Sequence, residues 1–309
     1  MGIELFDKDF NMKEMITNSE VATLAKRIIN EYLMNMPAEM QYDDKWQELF
    51  TVMSTADQYE IFPQKAQLAF TWKEVGPGDE PIFAKVTDAE DLAIYMKKKR
   101  TAAALDSDVF KYNKKLKFQY VVDSLRASGL EEIAALHYAL LVASAVDKGN
   151  SGTTLLAIGT AINNVVVAML NNQVSGKKYP LKPTHIVCNF SDTPVISKSI
   201  SKIDRLANIP IDYKGTNAEK LPLNEATYGL KIIETSEMTS GQFLIVEAKK
   251  HLISLEDVVD KGVILDDEYI KLIMEQRLYG LIRRGIGNLF ATNTYSGVTI
   301  GSVNKLTIA

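Results

Sequence analysis

Apolar positions along the chain switch several times between a helical and a strand-like period, and these switches outline the elements. Val21, Leu24, Ile28 and Tyr32 recur at intervals of three and four, which predicts one amphipathic helix. Thr17-Asn18-Ser19-Glu20 before them has the form of a capping box, a hydroxyl followed three residues later by a carboxylate. Pro37 closes the segment. So narrow a stripe must lie on something, either its own domain or a neighbouring subunit.

From residue 59 to 105 the pattern becomes extended. Ala69 to Val75 and Ile82 to Val86 read as strands around the turn-rich Gly76-Pro77-Gly78-Asp79-Glu80-Pro81. Ile94 to Leu105 is also extended and nearly half polar. A ribbon this poor in core residues is either a surface arm or finds its partner on another chain. The helical period then returns from about Lys114 to Asp147, through Leu116, Phe118, Val121, Val122, Leu125, Leu130, Ile133, Leu136 and Leu140, with Gly129 as the interruption. Gly149-Asn150-Ser151-Gly152 reads as its stop. About 34 residues at 1.5 Å each span roughly 50 Å, long enough for a structural spine.

Beyond it, helix and strand alternate. Thr153 to Asn172 reads as a helix with Leu155, Ile158, Ile162, Val165, Val166 and Met169 on its apolar side. Thr184 to Asn189 reads as a buried strand, Asp192 to Leu206 as a helix with Pro194 at its start, and Gly229 to Thr235 and Gly241 to Ala248 as strands joined through a Thr-Ser-Gly turn. The tail is again extended from Gly262 to Leu265, and Tyr269 to Arg284 suits helix or strand. The strand reading, through Tyr269, Ile270, Ile273, Tyr279 and Ile282, is preferred.

Composition narrows the function classes. The 309 residues carry 35 basic and 39 acidic side chains, a formal charge of −4, so no net cationic field draws the chain to nucleic acid or a membrane. One cysteine, Cys188, forbids an intrachain disulfide. Three histidines, His137, His185 and His251, leave little for a Cys/His zinc site. The start Met1-Gly2-Ile3-Glu4-Leu5-Phe6 lacks the flank and apolar run of a signal peptide, and Phe6 stands where a myristoylation pattern wants Ser or Thr. The apolar run Val165 to Leu170 is far short of the ~20 residues that cross a bilayer. These features lead us to expect a soluble protein made in the cytosol.

Catalytic patterns are weak. Gly149-Asn150-Ser151-Gly152-Thr153-Thr154 lacks the lysine and glycine spacing of a phosphate loop and reads as a turn and cap. Gly280 to Gly287 is interrupted by Arg283-Arg284. Cys188 lies in an apolar strand, with His185 on the opposite face. Glu256-Asp257 is a simple pair, and Asp266-Asp267-Glu268 is either a solvated turn or a carboxylate metal site. Lys97-Lys98-Lys99-Arg100 is the strongest basic run. On a strand its members alternate between faces, so it reads as a solvated edge or an intersubunit salt-bridge patch.

The order of elements carries a resemblance. Tyr59-Glu60-Ile61-Phe62-Pro63 through Gly76-Pro77-Gly78-Asp79 resembles the extended loop of tailed-bacteriophage major capsid proteins with the Hong Kong 97 fold, and Ala103 to Phe110 the lead-in to their spine helix. Pro183 to Asn189, followed by the helix with Ile200 and Leu206, resembles their axial domain. Ile270 to Arg284 with Asn288-Leu289-Phe290 resembles the closing strand of their peripheral domain. The match covers most of the chain from about residue 50 and rests on order and texture, since no short motif marks the family.

The resemblance implies an α+β Hong Kong 97-type capsid fold. Its parts would be an N-terminal helical arm (1–58), an extended loop (59–105), a spine helix of the peripheral domain (106–150), an axial domain (151–261) and closing peripheral strands (262–309). It implies a shell subunit and not an enzyme, self-assembling into hexamers and pentamers of an icosahedral virion around double-stranded DNA held without sequence specificity. It implies no cofactor, no catalytic residue, no resident metal and no membrane partner, and a separate scaffolding protein and a portal as partners. Trp72, Lys73, Lys85, Lys97, Lys99 and Arg100 are the expected intersubunit contacts. An encapsulin-like compartment of the same fold and a soluble α/β enzyme with a carboxylate metal site are the alternatives. Excising Gly76–Pro81 and rejoining the strands is expected to spare subunit folding and impair assembly, read by thermal melting and negative-stain microscopy. A variant that fails to fold as a monomer contradicts it.

Overall fold

The computed structural model describes residues 6, 10–34, 45–63, 91–174, 177–207, 230–258, 263–265, 277–289, 294–295, 298–299 and 301–308. The elements run α1 (Glu14–Thr17), α2 (Ser19–Met34), α3 (Trp46–Leu49), β1 (Thr51–Thr55), β2 (Tyr59–Pro63), β3 (Asp91–Tyr95), β4 (Lys97–Ala104), α4 (Ser107–Lys111) and α5 (Lys115–Ser144). Then come β5 (Val146–Asn150), α6 (Leu155–Leu170), β6 (Gln173–Val174), β7 (Lys177–Lys178), β8 (His185–Asn189), α7 (Thr193–Ala207), β9 (Lys231–Thr235) and β10 (Gln242–Val246). The chain closes with β11 (Leu252–Asp257), β12 (Val263–Leu265), β13 (Arg277–Asn288), β14 (Thr294–Tyr295), β15 (Val298–Thr299) and β16 (Val303–Thr307). Two units divide them: one holds residues 1–59, 95–140 and 253–286, the other 60–94, 141–252 and 287–309.

In the first unit a five-stranded sheet runs β1-β11-β13-β12, with β4 also on β13. Strand β4 pairs antiparallel with β13 over eight residues, from Lys97 opposite Arg284 to Ala104 opposite Arg277. Strand β1 runs parallel to β11, Thr51 opposite Ile253. Helix α5 buries Phe118, Val122, Leu125 and Ile133 on one side and, further round and further along, Ala134 and Tyr138, each set at helical spacing. Gly280 of β13 sits where a Cβ would come within 3.3 Å of Leu125, so the small residue lets sheet and helix approach. Helices α1 and α2 lie on the same core: Met12, Met15, Ala25 and Ile29 cluster with Phe110, Phe118, Val122 and Leu278. Each large apolar side chain buried there contributes about 1.5–3 kcal/mol.

The N-terminal helix therefore rests on its own unit. Of the expected stripe, Val21, Ile28 and Tyr32 pack against this core and Leu24 is exposed, while Ala22, Ala25 and Ile29 are the fully buried positions. Small alanines let the helix lie close, and a count of large apolar residues overlooks them. Asn18 takes the capping role expected of Thr17: α2 opens at Ser19, and Asn18 Oδ1 accepts from Glu20 N at 3.0 Å. On α5, Leu116 is exposed, contrary to the apolar reading.

The second unit carries a sheet ordered β5-β16-β10-β8-β9. Its core joins Ile158, Ile162, Val166 and Met169 of α6, Ile196 and Ile200 of α7, and Ile186, Cys188, Phe243 and Ile245 of the sheet. Strand β16 is antiparallel to β10 and parallel to β5. Strand β8 lies between β9 and β10, so the two strands flanking the Thr-Ser-Gly turn are not neighbours. The turn into α6 is a plain cap, as expected: Thr154 Oγ1 accepts from Ala157 N at 3.2 Å, and Gly152 has φ +79°, a conformation glycine adopts without strain.

Three boundaries differ from those expected. Helix α5 ends at Ser144, and Val146–Asn150 is a strand because β16 arrives from the far end of the chain to pair with it. Residues 97–104 belong to the first sheet through β13 and not to a free ribbon. The tail is shared: β13 joins the first sheet, while β16 joins the second. The expected strand at the closing run is observed over Arg277–Asn288. The loop from Ala69 through Gly76–Pro81 to Val86, with Trp72, Lys73 and Lys85, lies outside the described residues, as do Pro37, Asp266-Asp267-Glu268 and the segment Tyr269 to Gln276.

Replacing Gly129, in the interior of α5, with proline removes a backbone donor and clashes one turn back. Gly129→Pro is expected to lower stability by roughly 3 kcal/mol or more, read by urea denaturation, and wild-type stability would contradict the helix's structural role.

Candidate functional site

Strand β13 brings Arg283 and Arg284 directly opposite Lys98 and Lys97, an unfavourable stack of like charges on adjacent strands. Strand β11 relieves it. Asp257 Oδ2 lies 3.0 Å from Arg283 Nη1, and Glu256 Oε2 lies 3.1 Å from Arg284 Nη1. Arg284 is buried, and its guanidinium also sits 5.4 Å over the Trp46 ring. Burial pulls its pKa down from the ordinary arginine value, and Glu256 opposes that pull. Lys99, on the same face of β4 as Lys97, is paired with Glu132 of α5. Lys99 and Glu132 line a cleft of about 320 Å³ together with Arg100, Ser128, Gly129 and Gly280.

Beside the arginine lies a closed box around His137. Its ring stacks on Trp46 at 3.8 Å and meets Phe50 edge-on at 4.8 Å. Nδ1 lies 2.7 Å from the Ile133 carbonyl, which can only accept, so Nδ1 carries the proton. Nε2 therefore accepts from the Ser254 hydroxyl at 2.9 Å. Burial drives the His137 pKa down to about 3, with Arg284 adding to the effect. This histidine is a neutral structural bridge between α5 and β11.

Cys188, His251 and Glu247 are occupied as well. Burial pushes the Cys188 thiol up to about 11, and its sulfur is 3.5 Å from Thr193 Oγ1; a thiol so held is a poor nucleophile. In the second unit burial lowers the His251 pKa, and Nε2 lies 3.3 Å from Glu247 Oε2. Burial works against the Glu247 carboxylate, yet His251, the Lys182 amide at 2.9 Å and Lys250 hold its carboxyl below the usual range. Among the described residues no three metal-ligating side chains gather into a cluster.

What remains is surface. Helix α6 packs one side into the second core and exposes Leu156 (50%), Val167 (41%) and Leu170 (39%) on the other. Not one Asp, Glu, Lys or Arg occurs from Gly149 to Gly176, in a chain that is 24% charged. The exposed side of α6 itself thus carries no charged side chain, a composition found at contact surfaces. Strand β1 ends its sheet and exposes Val52 and Met53. The paired strands β2 and β3 expose Tyr59, Ile61 and Tyr95, with the two tyrosine rings 5.5 Å apart.

No family model matches the sequence, and no curated protein matches it. Solved structures match by fold. One from Mycobacterium phage Bobi has a TM-score of 0.53 at 14% identity, covering 95% of this chain and 99% of that one. One from Mycobacterium phage Cain has a TM-score of 0.53 at 13% identity, covering 87% and 91%. The acidic stable capsid structure of Helicobacter pylori bacteriophage KHP30 has a TM-score of 0.49 at 9% identity, covering 83% and 87%. This chain has the Hong Kong 97 fold.

Within this Hong Kong 97 fold the expected contact residues separate. Lys97 and Arg100 are exposed on β4, whereas Lys99 is engaged by Glu132 inside its own unit. The Glu256-Asp257 pair, read from the sequence as unremarkable, supplies the counterions for β13. No local pattern announces that role, because 26 residues separate Asp257 from Arg283. The uncharged stretch around α6 was visible in the sequence.

The His137 box sets a pH dependence. A folded-state pKa near 3 against an ordinary 6.5 means the fold favours the neutral ring. Its contribution is complete above pH 6.5 and is lost as pH falls towards 3, by up to roughly 5 kcal/mol. Urea denaturation at pH 7 and pH 4.5 should show the wild type losing more stability on acidification than His137→Gln. Equal losses would show that His137 does not set the slope.

Proposed function

We propose that this chain is a shell subunit, the major capsid protein of a tailed-phage-type virion. In this reading copies of it build hexamers and pentamers of an icosahedral shell around double-stranded DNA, assisted by a scaffolding protein and a portal. The first unit corresponds to the peripheral domain with α5 as its spine, and the second to the axial domain. The observation that carries the reading is the uncharged exposed face of α6 on the Hong Kong 97 fold. A protein that stayed alone in water would gain solubility from charges there; a subunit that packs against its siblings must keep charges out. Lys97, Lys99 and Arg100 remain proposed intersubunit contacts, and so do Trp72, Lys73 and Lys85. In this reading the protein acts by assembly and not by catalysis.

The test is assembly of the purified chain, followed by sedimentation velocity and negative-stain microscopy. Shells are expected, with nuclease-resistant DNA inside particles isolated from cells. Leu156→Lys with Val167→Glu should leave the melting of the subunit unchanged and reduce shell yield at least tenfold. A chain that stays at 34.4 kDa under every assembly condition overturns the reading, and shells formed by the double variant at wild-type yield would remove α6 from the contact.

A further inference from the structure

A second exposed surface differs in character from α6. Where α4 meets α5, Tyr112 is 61% exposed, Leu116 80% and Tyr120 72%. The inward side of the same corner holds Val109, Phe110 and Phe118, fully buried. The corner folds on those inner residues, so the outer three add nothing to the subunit's own core. Asn113, at φ +51°, turns the chain between the helices, and the Lys114 amide donates to the Val109 carbonyl at 2.8 Å, fixing the outward direction of Tyr112. Leu116 and Tyr120 stand one helical turn apart on the exposed side of α5.

Charge surrounds this apolar line. Lys111, Lys114 and Lys117 are exposed about it, with Lys115 partly so. Lys111 Nζ and Lys114 Nζ lie 5.4 and 5.6 Å from the Tyr112 ring centroid, within cation–π range. Across residues 106–117 Asp106 and Asp108 are the only acids against these four lysines, so the corner is locally basic on a chain of net charge −4.

We propose that this corner is a docking surface for an acidic amphipathic helix of a second protein. Such a helix lays apolar residues, spaced three and four apart, along Tyr112, Leu116 and Tyr120, while its Glu and Asp side chains meet the flanking lysines. Leu116, the most exposed of the three, favours this partner over nucleic acid, because an aliphatic side chain offers no plane on which a base stacks. The inference uses only the described surface and does not rest on the shell reading.

The full chain is titrated against a fluorescein-labelled peptide of about three Leu/Glu heptads, with fluorescence anisotropy as the readout. Controls are the same composition scrambled and a thymidine oligonucleotide of about 20 nucleotides. The amphipathic peptide should bind with a micromolar Kd that weakens as salt rises. Leu116→Asp and, separately, Lys114→Glu with Lys117→Glu should each weaken it at least tenfold with melting unchanged; Tyr120→Ser gives a second route should Leu116→Asp disturb the fold. No saturable binding, equal binding of the scrambled peptide, or affinity untouched by these substitutions would overturn the proposal. So would an oligonucleotide that binds the corner and loses affinity with the same substitutions while the peptide does not bind, which would make it a nucleic-acid surface.

Discussion

The first unit depends on one buried charge. Arg284 is carried into the sheet by β13, where it faces Lys97 across the strand pair and has little water to screen it. A buried guanidinium is tolerated only when paired. Glu256 supplies the pair, and its strand, β11, also presents Ser254 to His137. Trp46 then lies against both the arginine and the imidazole. One ion pair, one hydroxyl and one indole thus tie β11, β13, α3 and α5 together.

Charge placement divides the surface in the opposite sense. Where charged side chains serve the fold they are matched in detail, as Arg283 with Asp257 and Lys99 with Glu132 show. Across α6 they are absent, and at the α4–α5 corner lysines flank an apolar line, with Asp106 near Lys114 and Lys117. These two surfaces invite different partners. The uncharged face suits another surface free of charge, whereas the basic corner suits an acidic one.

Much of the local structure was legible in the residues. The long helix could be read because Phe118, Val122, Leu125 and Ile133 recur at a period that only a helix turns to one side. The buried strand His185–Asn189, the helix after it and the Thr154 cap were legible for the same local reasons. The resemblance to the Hong Kong 97 shell proteins also came from order alone. Val21, Ile28 and Tyr32 of α2 were legible, but the deepest contacts, through Ala22 and Ala25, were not, because alanine carries no large apolar signal. Nor was the strand at Val146–Asn150, which exists because β16 lies beside it.

Sequence by itself determined which segments are helical or extended, where charge is withheld, and that no disulfide can form. Tertiary structure alone decided how the extended segments were shared between two sheets, with β13 in one and β16 in the other. It alone turned an ordinary Glu-Asp pair into the counterions of two arginines and enclosed His137 so that it stays neutral. The physical reason is range. Periodicity, caps and turns act over a few residues and are written where they act, whereas strand pairing and the desolvation of a charge depend on whatever the chain brings alongside from a hundred residues away.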